Sequence, residues 1–233
     1  PVNFSVPTGN FGDILAGYLA KQLGLPVGRL LCASNANNVL TDFISTGVYD
    51  RRRPLHKTQS PSMDILVSSN LERLLALLSG DPALVANLME QLRDKGFYRV
   101  PDRLLSRIQA DFFAGYCDDS RGSDAIGRVY RELGYLMDPH TAAGWVCGEQ
   151  YRAETGDTAP LVVLSTASPY KFPAAVLAAI GQEAMGDEFD QMEQLSACTG
   201  MPIPRNLANL RQKKQRHTAV VDKDAMLDFV LRL

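Results

Sequence analysis

The sequence predicts an α/β fold built on a mostly parallel sheet flanked by helices. Two observations carry this. The first 48 residues read strand, turn, helix twice over, and a later apolar run, Leu161-Val162-Val163-Leu164, is followed by a further helical stretch. Parallel strands need crossover connections, usually helical, and this order supplies them.

Taken in order, Val2–Val6 alternates like a strand. Pro7-Thr8-Gly9-Asn10-Phe11-Gly12 is a turn rich in breakers. Asp13 stands as an N-cap, and Ile14–Leu23 follow at helical spacing until Gly24 and Pro26 end the helix. Arg29–Ser34 is a second strand. Asn37 or Asn38 caps a helix that runs to Thr46 and stops at Gly47. Tyr49–Ser62 is polar and Pro-containing, which reads as a long loop.

From Met63 onward helical spacing dominates, over Met63–Leu78, Ala83–Lys95, Asp102–Tyr116, Ser123–Leu133 and Thr141–Arg152. Leu161–Leu164, β-branched and preceded by Pro160, suggests a strand buried on both faces. A helix over Pro169–Ile180 follows. The tail holds a helix near Glu188–Ser196, a Pro-rich break at Met201–Pro204 and an amphipathic stretch, Lys223–Leu233. No clear linker divides the chain. The reading is one domain with four parts: a βαβα unit over residues 1–48, a mainly helical region 49–158, a strand and helix over 159–182, and a helical tail over 183–233.

The chain has 233 residues, 45% of them apolar and 21% charged, enough to bury a sizeable core. A net charge of −2 gives no footprint for nucleic acid or an anionic membrane surface. No apolar run reaches transmembrane length and no signal peptide is evident. Cys32, Cys117, Cys147 and Cys198 are scattered without a CxxC pair, which argues against a metal site and fits buried free thiols in a reducing cytoplasm. The start at Pro1, without Met and directly into a strand, suggests a chain cut from a longer protein.

The most informative segment is Thr8–Asp13. It joins a strand to a helix N-terminus, where backbone N–H groups are unpaired and the helix dipole adds partial positive charge. Glycines allow close backbone approach. The combination suits a phosphate at the carboxyl end of a parallel strand. Read alone, the Gly-x-x-Gly spacing also fits a simple tight turn. Neither GxGxxG nor GxxxxGK[ST] occurs, so a nucleotide is not the first choice.

Val6-Pro7-Thr8-Gly9-Asn10-Phe11-Gly12-Asp13-Ile14-Leu15-Ala16-Gly17 resembles the phosphate loop and following helix of threonine synthases, enzymes that use pyridoxal 5'-phosphate (PLP). Further segments resemble the same family in its order: Ala33–Asn37, Ser60–Ile65, Asp138–Ala142 and Ser165–Phe172. Residues 80–136 and the tail after Ile180 carry no recognisable match.

The resemblance implies the large-domain part of a fold-type II PLP enzyme, like the tryptophan synthase β-subunit. It implies conversion of O-phospho-L-homoserine and water to L-threonine and phosphate. The PLP phosphate would rest on Gly9, Asn10, Phe11 and Gly12, with Asp13 orienting the loop. Thr166 would face the pyridine nitrogen, where a hydroxyl can hydrogen-bond an unprotonated ring nitrogen. Thr166 as a cap for the Pro169 helix is the plainer reading.

Lys171 and Asn10 are candidate substrate contacts, Lys171 as a point cation for substrate phosphate; a surface lysine is the alternative. His140 is a candidate proton shuttle or a local hydrogen-bond partner. Asn35, Asn37 and Asn38 face a ligand cleft or cap a helix. The motif departs from the family at Ser168, where His is frequent, and at Tyr170, where a small residue is frequent.

The family's Schiff-base lysine lies in a Ser-Phe-Lys-Asp context in an N-terminal domain. None of Lys21, Lys57, Lys95, Lys171, Lys213, Lys214 and Lys223 has that context. The chain is therefore read as the C-terminal, PLP-binding portion, inactive alone and partnered by the domain that carries the lysine. Two alternatives stand beside it. One is another fold-type II lyase, such as a threonine dehydratase or cysteine synthase. The other is a non-catalytic threonine-synthase-like protein that binds PLP or a phosphorylated ligand.

Overall fold

The computed structural model describes residues 1–232. Its elements are β1 (Val2–Pro7), α1 (Gly12–Gln22), β2 (Val27–Ser34), α2 (Val39–Thr46), β3 (Val48–Asp50), α3 (Leu71–Ser79), α4 (Pro82–Lys95), β4 (Phe97–Arg99), α5 (Asp102–Asp111), β5 (Phe112–Tyr116), α6 (Asp119–Leu133), α7 (Pro139–Thr155), β6 (Leu161–Val163), α8 (Pro173–Ala179), α9 (Glu188–Thr199) and α10 (Met226–Val230). Four strands form one sheet in the order β5-β2-β1-β6, with every neighbouring pair parallel. β3 and β4 make a separate antiparallel ribbon. The α/β class with a mostly parallel sheet is therefore the fold.

The period-2 alternation of β2 divides the core. Leu30 and Cys32 join the large cluster with α1, α2, α3 and α5, whereas Leu31 and Ala33 face α7 through Cys147 and Tyr151. α7 lies flat on the sheet because two of its residues have no side chain. A Cβ on Gly144 would sit 3.1 Å from Val163 and 3.2 Å from Pro7, and one on Gly148 would sit 2.9 Å from Leu161. A third cluster packs α6, α7, α8 and α9 together.

Several sequence expectations are corrected. Asp102–Tyr116 is not one helix: α5 ends at Asp111, and Phe112, its C-cap, starts β5 directly in extended geometry. The apolar spacing Leu104, Ile108, Phe112 continues across that junction and conceals it. β6 is an edge strand and is not buried on both faces; Val162 is 42% exposed, and β6 pairs with β1 alone among the described residues. Tyr49 and Asp50, read as loop, belong to β3. The helix expected from Met63 begins only at Leu71. The Lys223–Leu233 stretch is α-helical only over Met226–Val230, after one 3-10 turn at Lys223–Ala225, and neither has a buried residue; Leu233 lies outside the described residues. Cys32, Cys117 and Cys147 are buried free thiols, but Cys198 is exposed. Burial pushes the Cys147 thiol up to about 12.

Candidate functional site

β1 ends at Pro7, and the chain turns through Thr8–Phe11 into α1. Thr8 is fixed first: its N–H donates to Ala33 O at 2.8 Å and its hydroxyl to Val6 O at 2.6 Å. The carbonyls of the turn are fixed next. Gly9 O accepts from Ser68 Oγ at 2.8 Å, and Asn10 O accepts from both the N–H (3.1 Å) and the Nδ2 (2.8 Å) of Asn70. In a trans peptide the C=O and the next N–H point opposite ways. Tying the carbonyls of Gly9 and Asn10 to the 68–70 corner thus aims the amides of Asn10 and Phe11 away from it. Among the described residues, the N–H groups of Gly9, Asn10, Phe11, Gly12, Asp13 and Ile14 have no protein acceptor.

Phe11 has φ 62° and is, among the described residues, the one non-glycine residue with positive φ. A side chain in the left-handed region is disfavoured unless its surroundings hold it. Here the ring is buried and packs 5.6 Å from the Phe112 ring. Consecutive amides around such a residue curve into an anion-binding concavity. A cavity of about 260 Å³ lies there, lined by Pro7–Ile14. Gly9 is required by close packing, since a Cβ would meet Ser62 O at 2.9 Å and Met63 Cα at 3.3 Å.

Two loop expectations change. Phe11 spends its side chain on the core, so only its backbone is available to a ligand. Asp13 is not the N-cap: α1 starts at Gly12, Phe11 is the cap residue, and Asp13 is exposed in the first turn.

Thr166 reaches the same end of the sheet from the neighbouring strand. β6 pairs with β1 at Ser5↔Val163, and Leu164 N–H donates to Ser5 O at 2.9 Å. Thr166 follows three residues after β6 ends at Val163, beyond the same carboxyl end of the sheet as the turn after β1. Thr166 is exposed, and its hydroxyl has no hydrogen-bond partner among the described residues. It does not cap the following turn; Ser168 does, accepting from Tyr170 N–H at 3.3 Å. Lys171 is exposed on that turn, in no ion pair among the described residues.

His140 is built into the wall. It is 3% exposed at the start of α7, with Nδ1 2.9 Å from Asp138 Oδ1. Its Nε2 accepts the Ser62 N–H at 3.3 Å, and its ring lies 4.9 Å from that of Phe172. These bonds set the tautomer, with the proton on Nδ1, and leave neither nitrogen for a proton shuttle. Burial works to raise the Asp138 pKa. Hydrogen bonds from His140, Thr141 and the His140 amide outweigh it and hold the carboxyl below its ordinary value.

Asn35 and Asn37 also serve structure. Asn35 Nδ2 donates to Thr58 Oγ1 (2.9 Å) and Asp64 Oδ1 (2.8 Å). Asn37 Nδ2 donates to His56 O (2.9 Å) and Asp64 Oδ1 (3.0 Å). Asp64 also accepts from the Thr58 hydroxyl and N–H. Asn38, the N-cap residue of α2, makes no side-chain cap bond; its Oδ1 accepts from Arg53. For Asn35 and Asn37 the helix-cap reading is replaced by a network that holds the 56–64 segment over the end of β2; Asn38 keeps the N-cap position without the side-chain bond.

The free amides and the cavity lined by Pro7–Ile14 suit a phosphate group. Comparison with known proteins decides the family. Residues 141–230 match the family model described as threonine synthase, C-terminal. Threonine synthase of Pseudomonas aeruginosa is 42% identical over 223 residues, covering 93% of this chain and 46% of that protein. The crystal structure of PLP-bound threonine synthase from Brucella melitensis superposes with a TM-score of 0.84 at 39% identity, over 99% of this chain and 46% of that one.

The chain belongs to the threonine synthase family. Within it, similarity is not confined to proteins called threonine synthase. Threonine synthase-like 1 of Macaca fascicularis is 40% identical over 219 residues, which is 93% of this chain and 29% of that protein. The chain spans less than half the length of each of these relatives. Asn70 and Ser68, which hold the loop, were not singled out from sequence; their partners lie about sixty residues away, beyond any local pattern. No three His, Cys, Asp or Glu side chains among the described residues are grouped to hold a metal ion, and no helix is long and apolar enough to cross a membrane.

Proposed function

We propose that this chain is the PLP-phosphate-holding part of a threonine synthase, which converts O-phospho-L-homoserine and water to L-threonine and phosphate. The observation that carries this is the run of amides at Gly9–Gly12 without protein acceptors, at the carboxyl end of β1. In this reading Gly9, Asn10, Phe11 and Gly12 bind the cofactor phosphate through the backbone. The Thr166 hydroxyl hydrogen-bonds the pyridine nitrogen, and as a neutral donor it leaves that nitrogen unprotonated. Lys171 and the Asn10 side chain, both exposed, meet the substrate's phosphate. When bound, PLP supplies the electron sink for proton removal beside the substrate amine. No lysine of this chain stands in a Ser-Phe-Lys-Asp context. The residue that anchors PLP covalently then comes from another part of the protein, and this chain by itself binds without turning over.

Equilibrium dialysis of the chain against PLP, with and without inorganic phosphate, tests the binding role. Competition by phosphate is expected; PLP uptake that ignores it would sink the reading. An assay of phosphate release from O-phospho-L-homoserine tests the rest, with no turnover expected from this chain alone.

A second reading, a PLP- or phosphate-binding protein without threonine synthase activity, is favoured by the near-equal identity to threonine synthase-like 1. Product analysis with the lysine-bearing part of the protein added separates the two.

A further inference from the structure

Asn70 occupies the N-cap position of α3, where an asparagine side chain ordinarily accepts an N–H from the first turn. It makes no such bond. Its Nδ2 reaches across to Asn10 O at 2.8 Å, and its own N–H donates to the same oxygen at 3.1 Å. The helix gives up a favourable local cap, and the turn gains a doubly held carbonyl. A local rule broken with a compensating long-range contact marks a place where something other than helix stability is served.

Ser68 repeats the arrangement two residues earlier, through Gly9 O. Ser68 is itself braced: its N–H donates to the Tyr49 hydroxyl at 2.8 Å, and that hydroxyl donates to Leu66 O at 3.1 Å. The Tyr49 ring stacks on Tyr98 at 5.2 Å across the β3–β4 ribbon. A continuous set of contacts thus runs from the buried ribbon through the 66–70 corner to the carbonyl side of the turn.

We propose that Asn70 is a positioning residue for anion binding: by holding the Asn10 carbonyl it aims the Phe11 amide and its neighbours at a phosphate group. Ser68, braced by Tyr49, does the same one peptide earlier. This rests on the phosphate reading of the Gly9–Gly12 turn and adds the residues that shape it.

The test is a ¹H–¹⁵N NMR titration of the chain with inorganic phosphate and, separately, with PLP, following the amides of residues 9–13. In the wild type these resonances move with both ligands. In Asn70→Ala the same resonances report a Kd weaker by roughly tenfold for both ligands, while amides of α7 and β2 keep their wild-type positions. Asn70→Asp retains a side chain able to cap α3 and the backbone N–H bond to Asn10 O, but its side chain has no donor for that oxygen, so it folds and shows at least the same loss. Wild-type affinity in both variants overturns the positioning role alone. Wild-type amides that ignore both ligands overturn the phosphate reading and the positioning role with it.

Discussion

Two loops leave adjacent parallel strands at the same end of the sheet and treat their polar groups in opposite ways. After β2, the side chains of Asn35 and Asn37 are consumed by Thr58, Ser60, His56 and Asp64. After β1, the carbonyls of Gly9 and Asn10 are consumed, yet the amides from Gly9 to Ile14 are not. Both loops are anchored by the stretch between His56 and Asn70. The first anchorage closes a surface, and the second opens one. Hydrogen-bond satisfaction thus separates residues that build the end of the sheet from residues available to a ligand, although both sets are polar and sit at strand ends.

The strongest way to break this contrast is Gly9→Ala. Its Cβ would press on the backbone of Ser62 and Met63, so the turn must shift. Loss of two or more charge-assisted hydrogen bonds lowers phosphate affinity by more than about a hundredfold, measured by isothermal titration calorimetry. Asp64→Ala attacks the other loop. It removes the acceptor shared by Asn35, Asn37 and Thr58 and costs about 3 kcal/mol in urea unfolding. Phosphate affinity stays within roughly twofold of wild type, because the turn after β1 makes no bond to Asp64.

Asp138 sharpens the comparison through pH. Its folded-state pKa lies below the unfolded value of about 3.9. Its contribution is therefore complete above the unfolded pKa and is lost as pH falls through the folded one. Asp138→Asn should cost about 2 kcal/mol at neutral pH, and the gap to wild type in urea unfolding should narrow as pH drops below about 4. A gap that stays constant down to the acid limb would remove the charge from the argument. The smallest effect belongs to Asp13→Asn. Asp13 is exposed beside the open turn. Removing its charge should raise phosphate affinity by roughly twofold and leave the urea midpoint where it is.

Much of the sheet was legible because its punctuation is local. Pro7, Gly9 and Gly12 mark the turn after β1, and Gly47, Gly80 and Gly96, each with positive φ, close helices where a glycine is expected. β5 was hidden because Phe112 continues the spacing of α5 while its backbone has already become extended. The edge position of β6 is not legible, because an apolar β-branched run is the same whether a strand is central or at an edge; only its hydrogen-bonded neighbours tell them apart. The phosphate turn could be read as a site from its glycines. The purpose of Asn35, Asn37 and Asn70 could not, because each is fixed by a partner between 19 and 60 residues away; the local hydrogen-bonding reading of His140 holds through Asp138, two residues away.

The left-handed Phe11 has one further consequence. Its amide belongs to the open turn, whereas its ring is wedged against Phe112 at the start of β5, the strand at the far side of the sheet. A ligand that closes on that amide also grips the packing behind it. Occupancy and heat resistance are then two readings of one equilibrium: free phosphate should raise the melting temperature by mass action, and loosening the Phe11–Phe112 contact should weaken binding without touching a single group the ligand meets.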